Sequence, residues 1–170
     1  MKHKLEIAVN LSIIALCLTA VATFAKVHFF SSPTPLEPVA QGDVLEPVRD
    51  LVAEQEESAL LVALSPTCGY CTDSFPFLGR LAAERTARGA PVRLVAVVNS
   101  EEEMSREREL LNASGVELDD VVAVDFLSLR VPGTPTILHV DDRGEVLNVW
   151  LGLLDEEGER EVLQVLATRA

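Results

Sequence analysis

The order of the apolar segments constrains the fold of this chain more than any other feature. Residues 59–64 form a continuous apolar run of strand length, and residues 91–100 contain a second one. Such runs are typical of strands buried on both faces of a sheet. Helical patterns lie before, between and after these runs, and two later strand-like segments flank the turn Asp141–Gly144. This order predicts an α/β fold, with a mixed central sheet covered by helices on both faces.

Local signals set the boundaries of the individual elements. Pro47 suits the first position of a helix, and Gly89 suits the end of one. Ser100 and Glu103 have the spacing of a capping box, and Asp155 begins the last helical pattern. The sequence therefore predicts helices at 47–57, 68–89, 100–113 and from 155 onward, and strands at 59–64, 91–100, 121–126, 134–140 and 145–151.

The first thirty residues carry a membrane signal. The segment from Ile7 to Ala25 runs 19 residues without a charge, after Lys2 and Lys4. At ~1.5 Å per residue, a helix of that length spans about 30 Å, the thickness of a bilayer core. Residues 1–30 are therefore predicted to form one N-terminal transmembrane helix, a signal-anchor, and a cleaved signal peptide is the alternative. Cys17 fits this helix as an ordinary small apolar residue.

The positive charges before the span predict the orientation of the chain. They favour a cytoplasmic N-terminus in the inner or plasma membrane, so the rest of the chain is expected in the periplasm or outside the cell. Residues 31–43 contain three prolines in thirteen positions and are predicted to form a tether. The folded domain is then expected at residues 44–170.

The net charge is −13, and residues 31–170 alone carry −15 because residues 1–30 sum to +2. A chain without a basic patch is a poor binder of phosphate backbones, which argues against a nucleic-acid partner. The charge is expected to give a soluble, self-repelling surface. A basic partner is the alternative, but no feature of the sequence says where such a partner would bind.

Two of the three cysteines, Cys68 and Cys71, form a CxxC motif with three alternative roles. A structural zinc site needs four ligands. Only His139 is available as a further His or Cys ligand in the predicted domain, and it lies in a strand, so no metal site is expected. A structural disulfide would close a very short loop and would remove little entropy from the unfolded chain. The third role is a reacting dithiol.

The position of the motif between a strand and a helix favours the reacting dithiol. Cys68 is expected at the helix N-terminus, where unpaired N–H groups and the helix dipole stabilise a thiolate. Thiolate is the attacking species in disulfide exchange. Cys71, one turn further on, is expected to be shielded and to resolve the mixed disulfide. Gly69 would let a substrate backbone approach, and Tyr70 would either pack against the substrate or simply fill space.

Three motifs together resemble the thioredoxin superfamily. They are Cys68-Gly69-Tyr70-Cys71 after a buried strand, Pro76 in the following helix, and the segment VPGTPT, residues 131–136, before the final hairpin. The resemblance covers roughly residues 44–169. With the N-terminal anchor and tether, the chain is similar to the membrane-tethered thiol:disulfide oxidoreductases of bacteria.

The resemblance implies a role for each matching residue. Cys68 would be the nucleophile, Cys71 the resolving thiol and Pro135 a cis-proline that faces them. The backbone of Thr134 would pair with an extended peptide of the substrate, and Pro76 would be structural. The implied partners are protein thiols and disulfides and a membrane redox partner. The implied cofactor requirement is none beyond the redox-active disulfide between the two cysteines.

The chain also departs from the family pattern close to the motif. Val62 stands where many thioredoxins carry a buried acid, so the proton of Cys71 must be handled differently. Thr67 replaces the tryptophan that usually precedes the first cysteine, and Ser74 replaces a glutamate of many tethered reductases. A tethered binding or assembly module with non-essential thiols is the alternative function. A peroxidase, faintly indicated by the S-x-x-C at Ser65–Cys68, is a third.

Overall fold

The computed structural model describes residues 13–21, 37–53 and 58–167. The chain divides into two compact units, Met1–Leu36 and Glu37–Ala170. In the first unit residues 13–21 are helical, and Cys17 is exposed. No helix within the described ranges has the length and apolar character needed to cross a membrane. Residues 7–12 and 22–25 of the predicted span lie outside those ranges, so the transmembrane helix stays a prediction.

The second unit contains four helices and five strands among its described residues, in the predicted order. Most boundaries differ from the predicted ones by one to three residues. The helix predicted at 47–57 is described to position 53, and residues 54–57 lie outside the described ranges. The elements are α1 (Glu46–Ala53), β1 (Ser58–Ala63), α2 (Gly69–Arg88), β2 (Val92–Val98), α3 (Glu101–Ala113), β3 (Asp120–Ala123), β4 (Thr136–Val140), β5 (Val146–Leu151) and α4 (Glu156–Val165).

The strands form one mixed sheet in the order β3-β2-β1-β4-β5. β1 is parallel to β2, and β2 to β3, whereas β4 pairs antiparallel with both β1 and β5. Ala63, the last residue of β1, pairs with Thr136 at the start of β4, which pairs with Leu151 at the end of β5. The last residues of β2 and β3, Val98 and Ala123, pair at the same end. This end of the sheet is called the Cys68 end below.

The sheet is covered on both faces, as predicted. In β1, Leu60 and Val62 pack into one hydrophobic cluster, and Ala59 and Leu61 pack into another. The first cluster includes residues of α2, α3 and α4, and the second includes residues of α1 and the loop residue Leu129. Burying each leucine contributes roughly 1.5–3 kcal/mol. The continuous apolar run at 59–64 therefore reflects a strand that is buried from both sides.

The ends of the helices confirm the predictions made for Gly89 and Asp155 and correct the one made for Ser100. Gly89 ends α2 in the left-handed region, at φ 58°, and the carboxylate of Asp155 accepts the N–H of Gly158 at 2.9 Å. The capping-box prediction was wrong, because the Ser100 side chain makes no capping hydrogen bond. The Glu103 carboxylate reaches one residue further back and accepts the N–H of Asn99 at 3.2 Å.

The residues just before α1 are held to the domain by burial, hydrogen bonds and an ion pair. Val39 is buried, and its N–H donates to the carbonyl of Arg130 at 3.0 Å. The Arg130 guanidinium pairs with Asp43 at 2.8 Å, and the N–H of Gly42 donates to Val146 at 2.8 Å. The packed part of the domain therefore begins a few residues before position 44.

Candidate active site

Cys68 occupies the cap position of α2 at the Cys68 end of the sheet. It has an extended backbone, φ −91° and ψ 112°, and its Sγ accepts the N–H of Cys71 at 3.2 Å. Serine, threonine or aspartate usually fills this role, and here a sulfur does. The first turn of α2 contains no acidic side chain. The positive end of the helix is therefore left for the sulfur of Cys68.

Cys71 lies one turn inside α2 with its side chain against the core. It is 1% exposed, whereas Cys68 is partly exposed, and both are free thiols in the structure. The Ser74 hydroxyl donates to the backbone carbonyl of Cys71 at 2.6 Å and so is turned away from its thiol. A substrate can therefore reach Cys68 first, and Cys71 only through Cys68.

The loop before β4 brings Thr134 and Pro135 to the dithiol. The Thr134–Pro135 peptide bond is cis, as the resemblance implies. The Cys68 thiol donates to the carbonyl oxygen of Thr134 at 3.4 Å. The Pro135 carbonyl accepts the N–H of Gly152 at 2.7 Å, which fixes the loop to the end of β5. The structure thus brings together residues that are 66 positions apart in the sequence.

The surroundings push the pKa values of the two thiols in opposite directions. Burial works against ionisation of Cys68, but hydrogen bonds with Cys71 and with the side chain of Thr134 outweigh burial and lower the pKa of Cys68. Burial is also the main cause at Cys71, and with the hydrogen bond to Cys68 it raises the pKa of Cys71 to about 12. Cys68 is therefore the thiol that ionises first, and Cys71 holds its proton.

The remaining predicted residues take different places around the dithiol. Gly69 opens α2, and a Cβ at this position would meet nothing within 4 Å, so open space lies beside it. Tyr70 is exposed in the same turn. Thr67 is also exposed, and its hydroxyl lies 3.3 Å from that of Ser65. Pro76 lies within α2, exposed and about one turn beyond Cys71.

A small cavity of about 10 Å³ adjoins the site and contains residues that the sequence did not single out together. Val62, Ser74 and Pro135 line it, and so does Glu159 of α4, which pairs with Arg80. Glu159 lies far from the CxxC motif in the sequence, and no motif marks it, so only the folded chain shows this proximity. Within the described residues, no three His, Cys, Asp or Glu side chains form a group that could hold a metal ion.

Comparisons with known proteins give matches among solved structures only. No protein-family model and no curated protein sequence matches the chain. A protein of Chlorobium tepidum described as a thiol:disulfide interchange protein DsbE is 24% identical over 68% of this chain and 84% of its own, with a TM-score of 0.55. StoA from Bacillus subtilis is 18% identical over 64% of this chain and 83% of its own, with a TM-score of 0.52.

The thioredoxin domain of a thiol-disulfide oxidoreductase from Bacteroides vulgatus is similar over a larger part of the chain. It is 15% identical over 75% of this chain and 99% of its own, with a TM-score of 0.57. The chain has the thioredoxin fold. This finding confirms the fold that the CxxC motif and the segment at 131–136 predict. In this thioredoxin fold, Cys68 and the cis-proline loop face each other at the end of β1.

Proposed function

We propose that this protein is an extracytoplasmic thiol:disulfide oxidoreductase that exchanges electrons with protein cysteines through Cys68 and Cys71. One observation carries the proposal: the Cys68 sulfur caps α2, 3.2 Å from the N–H of Cys71. A cap position favours the thiolate, which is the attacking species in disulfide exchange. Similar solved structures that are named as thiol:disulfide interchange proteins support the proposal.

The proposed reaction needs no cofactor beyond the two cysteines. In the reducing direction, the Cys68 thiolate attacks one sulfur of a substrate disulfide, and the other substrate sulfur leaves and takes a proton from water. Cys71 then attacks the Cys68 sulfur and its proton passes to the departing substrate sulfur, so the second substrate cysteine leaves as a thiol. Two electrons have passed from the Cys68–Cys71 pair to the substrate, and the reverse steps oxidise a substrate dithiol.

The exposure of the two thiols supports this order of events. Cys68 is partly exposed and has the lowered pKa, so it is the thiol that meets a substrate. Cys71 is buried with a pKa of about 12, so it waits protonated until a mixed disulfide has formed at Cys68. The Thr134 carbonyl lies 3.4 Å from the Cys68 sulfur. In the proposed complex it would accept a backbone N–H of an extended substrate peptide.

The extracytoplasmic location is proposed from the N-terminal sequence. The uncharged segment from Ile7 to Ala25 behind Lys2 and Lys4 would anchor the chain in the inner or plasma membrane. The domain would then lie in the periplasm or outside the cell, where disulfides form and persist. A membrane redox partner would restore the working oxidation state of the Cys68–Cys71 pair.

Trapping tests the proposal. The full-length Cys71→Ser variant, expressed in its native host, should accumulate mixed disulfides between Cys68 and partner proteins, because the resolving thiol is missing. The matched control carries both Cys68→Ser and Cys71→Ser and keeps Cys17. Mass spectrometry should find the adducts at Cys68 in the first variant and none at that position in the control. Absence of adducts from the first variant would favour the binding module with idle thiols.

A further inference from the structure

Four exposed apolar side chains lie at the Cys68 end of the sheet. Tyr70 in the first turn of α2 is 66% exposed, and Leu127 in the loop after β3 is 71% exposed. Leu151 and Leu153, at and just after the end of β5, are 59% and 48% exposed. In the described part of the domain, only one other large apolar side chain, that of Val44, is comparably exposed. In the described part of the domain, apolar exposure is thus concentrated at the Cys68 end of the sheet.

Backbone contacts place these side chains at the Cys68 end of the sheet. The loop that carries Leu127 is held to the end of β2, because the N–H of Phe126 donates to the Asn99 side chain at 2.9 Å. Leu151 pairs with Thr136 at the start of β4. The N–H of the next residue, Gly152, donates to the carbonyl of Pro135 at 2.7 Å, beside the dithiol.

Carboxylates are numerous in the segments that form the Cys68 end of the sheet. The segments 65–75, 99–105, 124–136 and 151–157, which build the Cys68 end, contain eight acidic residues, one arginine and no lysine. The arginine, Arg130, is already paired with Asp43 at 2.8 Å. These acidic residues are called the acidic rim below: Asp73, Glu101, Glu102, Glu103, Asp125, Asp155, Glu156 and Glu157.

Most of the ion-paired arginines in the described domain balance carboxylates elsewhere, although Arg80 pairs with Glu159 beside the small cavity at the site. Several ion pairs lie on the helices or at the opposite end of the sheet: Arg49–Glu46, Arg85–Asp119, Arg88–Glu84, Arg108–Asp120 and Arg143–Asp141. The excess negative charge is therefore not spread evenly over the domain. A net charge of −7, out of the −15 on residues 31–170, lies in the four segments at the Cys68 end, which also carry the exposed apolar side chains.

We infer that the protein segments that react with Cys68 are cationic and carry apolar side chains beside the reacting cysteine. The inference rests on the proposed function and names the class of its partner. Lysine or arginine side chains would meet the acidic rim while leucine-like side chains cover Tyr70, Leu127, Leu151 and Leu153. An anionic segment would bring like charges together at a surface that holds no unpaired arginine within these four segments, and that would slow its approach.

Two matched peptides test the inference. Both have the same length and leucine content and a single cysteine, held as a neutral mixed disulfide with 2-thiopyridine. One has four lysines around the cysteine, and the other has four glutamates. The protein is the full-length chain with Cys17→Ser and Cys71→Ser in a nonionic detergent, so Cys68 is its single thiol. Attack by Cys68 on the peptide sulfur releases 2-thiopyridone, and its absorbance gives the rate of exchange.

The expected result is a preference that depends on ionic strength. The lysine peptide should react roughly tenfold faster at low salt. The ratio should approach one in 1 M NaCl, where the Debye length is about 3 Å. Neutralising Glu101, Glu156 and Glu157 with glutamines should reduce the low-salt ratio to about threefold or less. The control variant Glu109→Gln, Glu117→Gln and Asp142→Asn removes the same charge far from the dithiol and should leave the ratio unchanged.

Two further outcomes separate this inference from the proposed function. Equal rates for the two peptides at low salt, or the same loss of preference in both variants, would overturn the cationic partner while leaving disulfide exchange at Cys68 intact. Release of 2-thiopyridone from neither peptide would overturn the proposed function itself, and the inference with it.

Discussion

The helices α2 and α3 occupy equivalent positions in the fold but differ in the charge of their first turns. Each follows a strand of the parallel part of the sheet, and each begins at the Cys68 end. The first turn of α3 contains Glu101, Glu102 and Glu103, which compensate the positive end of its dipole. The first turn of α2 contains no acid and is capped by the Cys68 sulfur. The uncompensated helix is the one that carries the candidate nucleophile.

The buried faces of the two helices differ as well. Each carries one buried titratable side chain, Cys71 in α2 and Glu107 in α3, and burial raises the pKa of both. The Cys71 thiol lies beside Cys68, with which it hydrogen-bonds. Glu107 is 0% exposed, and neither of its carboxylate oxygens has a hydrogen-bond partner among the described residues. The buried thiol of Cys71 therefore takes part in the candidate site, whereas the buried carboxyl of Glu107 lowers the free energy of unfolding.

The largest effect is expected at α2. Cys68→Ser and Cys71→Ser should each reduce dithiothreitol-coupled reduction of insulin to the background rate, because one removes the nucleophile and the other the resolving thiol. The matched control, Cys17→Ser, should keep the wild-type rate, since Cys17 belongs to the other compact unit. Turnover that survives in Cys68→Ser would mean that this cysteine does not attack the substrate.

The second-largest effect is expected at the buried carboxyl of α3. Burial, and next the charge of Glu103, raise the pKa of Glu107 from 4.5 to about 7. Below pH 4.5 the carboxyl is protonated in both states; as the pH rises to 7, only the unfolded chain ionises, and the folded state loses stability. The loss should reach about 3 kcal/mol above pH 7, following from the two pKa values.

Urea denaturation of the wild type and of Glu107→Gln between pH 4 and pH 8 measures this effect. The glutamine cannot ionise, so the wild type should lose about 3 kcal/mol relative to the variant across this range. The replacement Glu107→Leu should raise the free energy of unfolding at pH 8 and leave insulin reduction unchanged. A difference between wild type and Glu107→Gln that stays constant with pH would refute the assignment.

A smaller effect, on the reactivity of Cys68, should follow from introducing an acidic residue into the first turn of α2. In Tyr70→Glu, a carboxylate in the first turn of α2 would oppose the thiolate of Cys68. Alkylation of Cys68 by iodoacetamide at pH 7 should then be roughly threefold slower than in the matched variant Tyr70→Gln. Equal rates in the two variants would show that an acid in the first turn has no bearing on the thiolate.

The smallest effect is expected across the cis-proline loop. The Thr134 side chain lowers the pKa of both thiols, so Thr134→Val should raise the pKa of Cys68. Its alkylation at pH 7 should become about twofold slower, the size expected for losing a weak hydrogen bond. Thr72→Val, on the exposed side of α2, is the control and should alkylate like the wild type.

Local patterns predicted most of the fold. The apolar run at 59–64, the glycine at position 89 and Asp155 each act within a few residues, so they set element types and ends correctly. Ser100 failed as a cap because Glu103 bonds to the N–H of Asn99 instead, a choice between adjacent residues that spacing cannot decide. Residues 7–25 could not be assessed as a span, since part of them lies outside the described ranges.

The candidate site was predictable where a motif marks it and not elsewhere. The CxxC motif located Cys68 and Cys71, and the resemblance located Pro135. Leu127 and Glu159 could not be found in this way, because the loop after β3 and the start of α4 come to the Cys68 end only through the topology of the sheet. The total charge was evident from composition, but its concentration at the Cys68 end of the sheet depends on three helices that begin at the same end.

The pH dependence of alkylation at each cysteine of the reduced full-length protein tests the central claim most directly. Iodoacetamide labelling followed by mass spectrometry reports Cys68 and Cys71 separately. The account predicts that Cys68 is labelled with a midpoint below the ordinary thiol value of 9.0, while Cys71, with a pKa of about 12, stays unlabelled through that range. Labelling of both cysteines with one common midpoint near 9.0, or of Cys71 before Cys68, would contradict it.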